Sequence, residues 1–237
     1  MKVITFNISK GIYNFELDDL STEIHSHPAV EIIKAVNGKF SVETAEIVAR
    51  DITIAIIDSN VKHRIKSDNC DVQLLMLESH NFLLYNYLNQ LGIDFKSGIF
   101  IEAIQNEKST LFNQILAFSF ENRLKKVNDE RIEACLCHFE SENLDYHKMV
   151  QVLTSKAHLS ESRLSHIFKD KIGVSLKKYL VWSKLKKATY LILNEDLNLI
   201  EASFQSGFYD QAHLSNAFKK ILGISPSKAY NSRTLQF

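Results

Sequence analysis

The chain is poor in residues that break or loosen a fold. Two prolines and seven glycines in 237 residues exclude long proline-rich or glycine-rich linkers, so any connection between domains is short. Three cysteines, Cys70, Cys135 and Cys137, form an odd set without framework spacing. That pattern excludes a disulfide scaffold, fits a reducing compartment and predicts three buried thiols. On a helix Cys135 and His138 would share a face and Cys137 would not, so no zinc site is assigned there. No apolar run approaches the roughly 20 residues that span a bilayer, and the opening MKVITFNISKGIYNFEL has no unbroken apolar segment after its lysine. A cytoplasmic protein with no membrane partner is expected. Net charge is also missing, with 28 basic and 28 acidic residues.

What is present is enough apolar material for packed cores, 45% of residues with 10% aromatic. The zero net charge hides a division. Residues 1–145 hold 14 Lys and Arg against 22 Asp and Glu, a balance of −8, and residues 146–237 hold 14 against 6, a balance of +8. A basic C-terminal third suits a polyanionic partner, which the acidic remainder would repel.

The hydrophobic period divides the chain in the same sense. Up to Ser79 the apolar residues alternate or run in short β-branched stretches, VITFNI, IYNFEL, VEIIKAV, ITIAIID and DVQLLMLE, which predict strands. Asn37-Gly38 reads as a hairpin between VEIIKAV and KFSVE, and Asp58-Ser59-Asn60 as a turn before KHRI. A small antiparallel barrel or sandwich is predicted for residues 1–79. From His80 apolar residues recur at three and four positions (Leu84, Leu88, Leu91; Leu111, Ile115, Phe118), so the remainder is predicted to be largely helical. Residues 80–127 carry more large apolar side chains than one stripe needs, Phe82, Leu83, Tyr85, Phe112, Leu116 and Phe120 among them. These suit packing beneath the barrel and a subunit contact, and a homodimer is expected.

Residues 128–237 contain a repeat. LSHIFKDKIGVSLKK aligns with LSNAFKKILGISPSK at an offset of 50, pairing Leu164 with Leu214, Phe168 with Phe218, Gly173 with Gly223 and Lys178 with Lys228. In the first copy a short helix over His147–Ser155 and a turn over Lys156–Leu159 precede Ser160, placed to cap a second helix. In the second copy Asp210 holds the capping position and Gly207 the turn. Leu164, Ile167, Phe168 and Ile172, and likewise Leu214, Ala217, Phe218 and Leu222, fall on one face and are predicted to point inward. Gly173 and Gly223 suit left-handed helix stops. Helix, tight turn and capped helix make a helix-turn-helix unit, whose second helix can enter a major groove.

The opposite faces carry groove-reading chemistry. Ser162, His166 and Lys169, flanked by Arg163 and Ser165, match Asn216 and Lys219, flanked by Gln211, His213 and Ser215. Asn and Gln can bond an adenine edge twice, Arg and His can donate to guanine, and Ser and Lys can hold base edges or phosphates. Between the copies Ser175–Leu193 predicts one long helix. Leu176, Tyr179, Leu180, Leu185, Ala188, Leu191 and Ile192 point inward, and Lys177, Lys178, Lys184, Lys186 and Lys187 mostly outward toward phosphates. Trp182 is placed in the core.

These segments, from Tyr146 to Arg233, resemble the AraC/XylS family of bacterial transcription regulators: SESRLSHIFKDKIGVSLKKYL, KLKKATYLIL and GFYDQAHLSNAFKKILGISPSKAY stand in the family's order. Lys184 occupies a position where the family usually has arginine, and Ala229-Tyr230 replaces the usual Tyr-Arg. The resemblance implies a double helix-turn-helix domain on double-stranded DNA, contact with RNA polymerase, and more often activation than repression. The N-terminal region is similar to the cupin barrel that such regulators carry. His25, His27, Glu31 and Gly38 match its first motif, and His63 stands where the second motif places a histidine, although Asp58 and Asn60 replace the usual proline and glycine. The expected fold is therefore α+β, a small cupin-like barrel, then connector helices, then an all-α domain. His25, His27, Glu31 and His63 could hold a divalent metal, line a small-molecule effector pocket, or be a relic of the barrel. A metal-dependent cupin enzyme fused to a DNA-binding domain, and a ligand-free regulator governed by a partner protein, are the alternatives.

Overall fold

Alternating and β-branched stretches leave the N-terminal chain no stable solution but paired strands, and eight form before the first helix. The computed structural model describes residues 1–95, 97–102, 110–141 and 145–229. The strands are β1 (Lys2–Asn7), β2 (Ile12–Leu17), β3 (Val30–Ala35), β4 (Phe40–Thr44), β5 (Val48–Ile52), β6 (Ile54–Ile57), β7 (His63–Lys66) and β8 (Val72–Leu77). Helix α1 (Leu83–Gln90), strand β9 (Ile99–Ile101) and helix α2 (Leu111–Glu121) follow. After them come α3 (Glu130–Ser141), α4 (Tyr146–Ala157), α5 (Glu161–Ile172), α6 (Leu176–Asn194), α7 (Leu199–Gln205), α8 (Gln211–Leu222) and α9 (Pro226–Ala229). Two compact units result, Met1–Lys125 with Lys219–Ile224, and Lys126–Phe218 with Ser225–Phe237. Lys228's side chain and residues 230–233 lie outside the described residues.

In the N-terminal unit every pairing is antiparallel. One sheet has the order β1-β2-β8-β3-β6-β9 and the other β5-β4-β7. The expected barrel is, among the described residues, two separate sheets joined by isolated bridges at Ser21–Lys66 and His25–His63. Three local expectations are corrected. Asn37-Gly38 does turn, with Gly38 at φ +64, but it makes no hairpin, because β3 pairs with β6 and β8 while β4 pairs with β5 and β7. The chain changes sheet there, and the turn is fastened elsewhere: Asn37 Oδ1 accepts from the Asp71 amide at 2.8 Å and Val36 N donates to Asp71 O at 2.7 Å. The ITIAIID run is divided between β5 and β6, with the break at Thr53. Strand β9 adds an edge partner to β6 inside the stretch expected to be helical. Its three residues are too few to show a period.

Helices α1 and α2 share the sheet's core. Ile12, Val30, Ile32, Ile56, Leu75 and Leu77 pack with Leu84, Leu88, Phe112 and Ile115 in one buried cluster, each side chain contributing about 1.5–3 kcal/mol of burial. Tyr87 and Phe118 stack with ring centroids 3.9 Å apart. Phe82, Leu83 and Phe120 stay exposed, Phe82 at 80%.

The C-terminal unit centres on an aromatic cluster. Phe139 of α3, Phe168 of α5 and Tyr179 of α6 lie with ring centroids 5.1–5.7 Å apart, spacings that favour tilted and edge-on aromatic contact. Trp182 is buried, and so are all seven inward residues expected of the long helix. Lys186 is corrected from outward to buried, at 3% exposure, with its ammonium 5.5 Å from the Tyr179 ring centre and 5.7 Å from that of Trp182. Cys70 and Cys135 are buried but Cys137 is exposed, because it turns away from the face that buries Ile132, Cys135, Leu136 and Phe139. Ile167 and Leu222 are half-buried rather than core. In α8 the buried set is Leu214, Ala217, Phe218 and Ile221, the i, i+3, i+4, i+7 stripe, and Leu222 falls at its edge.

Candidate nucleic-acid interface and histidine cluster

Two copies of one local plan build the C-terminal surface. In the first, Asp145 caps α4 by accepting from Lys148 N at 2.9 Å. His158 ends α4 in the left-handed region, Ser160 Oγ accepts from Arg163 N at 3.3 Å to start α5, and Gly173 stops α5 at φ +80. In the second, Asn198 and Glu201 form a reciprocal capping box on α7. Gly207 turns at φ +82, Asp210 Oδ1 accepts from His213 N at 2.7 Å to start α8, and Gly223 follows at φ +72. The predicted caps Ser160 and Asp210 are both in place. Asp145 and Asn198 were missed, although N-x-x-E at Asn198 is a legible capping-box signature.

The helices starting at Ser160 and Asp210 bury their apolar stripes and turn the other side to solvent. On α5, Ser162, Arg163, His166 and Lys169 are exposed and Ser165 is half-buried. On α8, His213, Asn216 and Lys219 are exposed, with Gln211 and Ser215 half-buried. The His213 ring lies perpendicular to that of Phe208 at 5.2 Å. Each helix thus offers a polar, hydrogen-bonding ridge, the chemistry that meets base edges and phosphates. Among the lysines of α6, Lys177 is exposed, whereas Lys178, Lys184 and Lys187 are half-buried. Burial lowers the pKa values of Lys178 and Lys184. Lys184 donates to Gly207 O at 2.7 Å, satisfying the carbonyl of the tight turn between α7 and α8, so it holds the second unit's turn.

In the N-terminal unit His25, His27, Glu31 and His63 come together with their ligand atoms all within 4.8 Å of one another. Glu31 is on β3 and His63 opens β7. His25 and His27 sit on the segment between β2 and β3, which His25 ties to β7 by reciprocal 3.0 Å backbone bonds with His63. Each imidazole is fixed through Nδ1 to a carbonyl two residues away, His25 to Glu23 O at 2.9 Å, His27 to Ala29 O at 3.1 Å and His63 to Val61 O at 2.9 Å. In the tautomer in which Nδ1–H donates to these carbonyls, Nε2 carries the lone pair that a metal-binding histidine uses. Glu31 Oε2 lies 3.4 Å from His27 Nε2 and 2.8 Å from His63 Nε2. The approach to His63 is off the hydrogen-bond direction, leaving Glu31 Oε2 and His63 Nε2 buried without an aligned partner. Burial pulls the His25 pKa down to about 3, helped by the neighbouring His63 and His27. Burial opposes ionisation of Glu31, but His63 and His27 together hold its carboxyl well below the usual range. Burial likewise opposes a proton on His63, and the facing Glu31 outweighs it and raises the pKa. Three imidazoles and a carboxylate are a ligand set for a divalent transition metal, and two orphaned atoms aimed into the cluster fit such an ion.

Residues 153–232 match the family model described as Helix-turn-helix domain. The chain is 22% identical to the probable transcriptional regulator LumQ of Photobacterium leiognathi, over 91% of this chain and 95% of that protein. It is 28% identical to the arabinose operon regulatory protein of Escherichia coli over 131 residues, 54% of this chain but only 41% of that protein. ToxT of Vibrio cholerae shares the fold across both units, with a TM-score of 0.57, 11% identity and coverage of 95% of this chain and 98% of that one. Among the described residues no helix is long and apolar enough to cross a membrane. Repeat, caps, polar ridges and the match over residues 153–232 agree that this segment is a helix-turn-helix domain of the AraC/XylS type.

Proposed function

We propose that the chain binds specific sites on double-stranded DNA through α5 and α8 and activates transcription there, with RNA polymerase as partner. The observation that carries this reading is the pair of capped helices that turn polar ridges to solvent in a segment with a balance of +8. Ser162, Arg163, Ser165, His166 and Lys169 contact one half-site, and Gln211, His213, Ser215, Asn216 and Lys219 the other. The 19-residue α6 spans roughly 28 Å at 1.5 Å per residue, of the order of one duplex turn, roughly 34 Å. Selection from a random duplex library, followed by footprinting of the enriched sequence, tests the reading. A bipartite motif is expected, and recovery of no sequence above the random background would refute it.

The N-terminal unit supplies the input and the homodimer contact. Its exposed Phe82, Leu83 and Phe120, on and beside α1 and α2, form the subunit surface. Its input is a divalent transition metal held by His25, His27, Glu31 and His63, which the rings anchored through Nδ1 and the orphaned buried atoms support.

A further inference from the structure

Resting on that reading of the four ligands, we propose that the ion is completely enclosed and cross-links the two sheets, so that the ion is itself the signal and its occupancy sets the stability of the N-terminal unit. A catalytic ion keeps a coordination position open to water or substrate, whereas a structural ion is surrounded by protein donors. Here the four residues are 5%, 1%, 2% and 1% exposed for His25, His27, Glu31 and His63, which leaves no side of the cluster facing solvent. Four protein donors complete a tetrahedral shell, whose ligand atoms stand roughly 3.3 Å apart for bonds of roughly 2.05 Å. The Glu31 contacts, 2.8 and 3.4 Å, already lie near that spacing.

Topology gives such an ion its mechanical effect. Glu31 belongs to the six-stranded sheet and His63 to the three-stranded one. Among the described residues no ladder joins those sheets, only the bridges at Ser21–Lys66 and His25–His63. An ion shared by Glu31 and His63 therefore joins β3 to β7 directly, and His25 and His27 draw the intervening segment against both. The Nδ1 bonds keep each ring from turning away, so the ion has only to draw in donor atoms that already stand within 4.8 Å of one another. Nitrogen-rich ligation selects zinc and its neighbours and rejects magnesium and calcium, which need six or more oxygens.

The test uses the full chain stripped with a chelator and titrated with Zn2+, Mg2+ and Co2+. Expected is one Zn2+ per chain, no Mg2+, and a rise in melting temperature of about 10 °C at a hundredfold excess over Kd. Co2+ should give the intense visible bands of four-coordination, unchanged by azide. Hydrogen exchange should slow on loading at the amides of Thr22, His25 and His63, which bond across to Ile65, His63 and His25. Glu31→Gln and His63→Ala should each lose stoichiometric zinc, and wild-type protein with and without chelator gives the same comparison should a variant fail to fold. Absence of stoichiometric zinc would overturn the metal reading itself. Bound cobalt whose bands shift with azide would overturn the enclosed site alone, and bound zinc without stabilisation or slowed exchange would overturn the cross-link alone.

Discussion

Replacing Lys186 by alanine separates a lysine that builds the fold from the lysines proposed to meet DNA. The side chain is 3% exposed, with its ammonium over the rings of Tyr179 and Trp182 at 5.5 and 5.7 Å. Alanine removes three buried methylenes, about 2.4 kcal/mol at about 0.8 each, and two cation–π contacts of about 0.5–2 kcal/mol each. Relief of the ammonium's desolvation offsets part of this, leaving a loss of about 3 kcal/mol. For a domain of about 100 residues that lowers the melting temperature by about 12–20 °C. Lys186→Met keeps most of the apolar volume and should recover at least half of the loss. The assay is thermal unfolding of the full chain followed by circular dichroism at 222 nm, a wavelength chosen for helix content, beside DNA affinity measured across salt concentrations. Each lost phosphate contact lowers the slope of log affinity against log salt by about 0.9, and Lys186→Ala should leave that slope unchanged. A melting temperature within about 2 °C of wild type, smaller than a typical core truncation produces, or a slope lowered by about 0.9, would refute the buried role.

Asn216→Ala should cost about 1–3 kcal/mol at one base position and relax the preference there, while Lys187→Ala should weaken matched and mismatched sites equally; competition binding with single-base operator variants reads both. Ser160→Ala and Asp210→Ala should each destabilise the chain by about 1 kcal/mol through loss of a helix cap, seen as a lower urea midpoint at unchanged m-value. Phe82→Glu combined with Phe120→Glu should leave the melting temperature nearly unaltered and raise the dimer dissociation constant by at least tenfold, measured by sedimentation equilibrium. An unchanged constant would move the subunit contact elsewhere.

Legibility in the sequence followed the range of the forces involved. Caps and helix stops act within one turn, so Ser160, Asp210, Gly173 and Gly223 could be placed from their neighbours alone, and the repeat exposed the same plan twice. The outward faces of α5 and α8 followed from helical period. Lys186 is where residue type misleads: Tyr179 and Trp182 stand seven and four residues before it on the same buried stripe of α6, and helical period alone places it inward, but its charge and the neighbouring Lys184 and Lys187 suggest an outward side chain. Sheet partnership was hidden. Asn37-Gly38 has the chemistry of a hairpin turn, but whether the following strand doubles back or crosses to another sheet depends on Asp71, 34 residues on. The four candidate ligands were legible as a set because His25, His27, Glu31 and His63 fall at the positions of the cupin motifs that the N-terminal region resembles. Their enclosure was not, since it depends on how β7 is drawn against the segment before β3.

The shared packing of α1 and α2 with the six-stranded sheet fixes where this polypeptide can be cut. A fragment ending at Ser79 would strip Leu84, Leu88, Phe112 and Ile115 from their cluster and leave Ile12, Ile32 and Leu75 facing water, an invitation to aggregate. A fragment carried on to Lys125, where the first continuous stretch of that unit ends, keeps the whole cluster and gives the end point to choose for expression of this core.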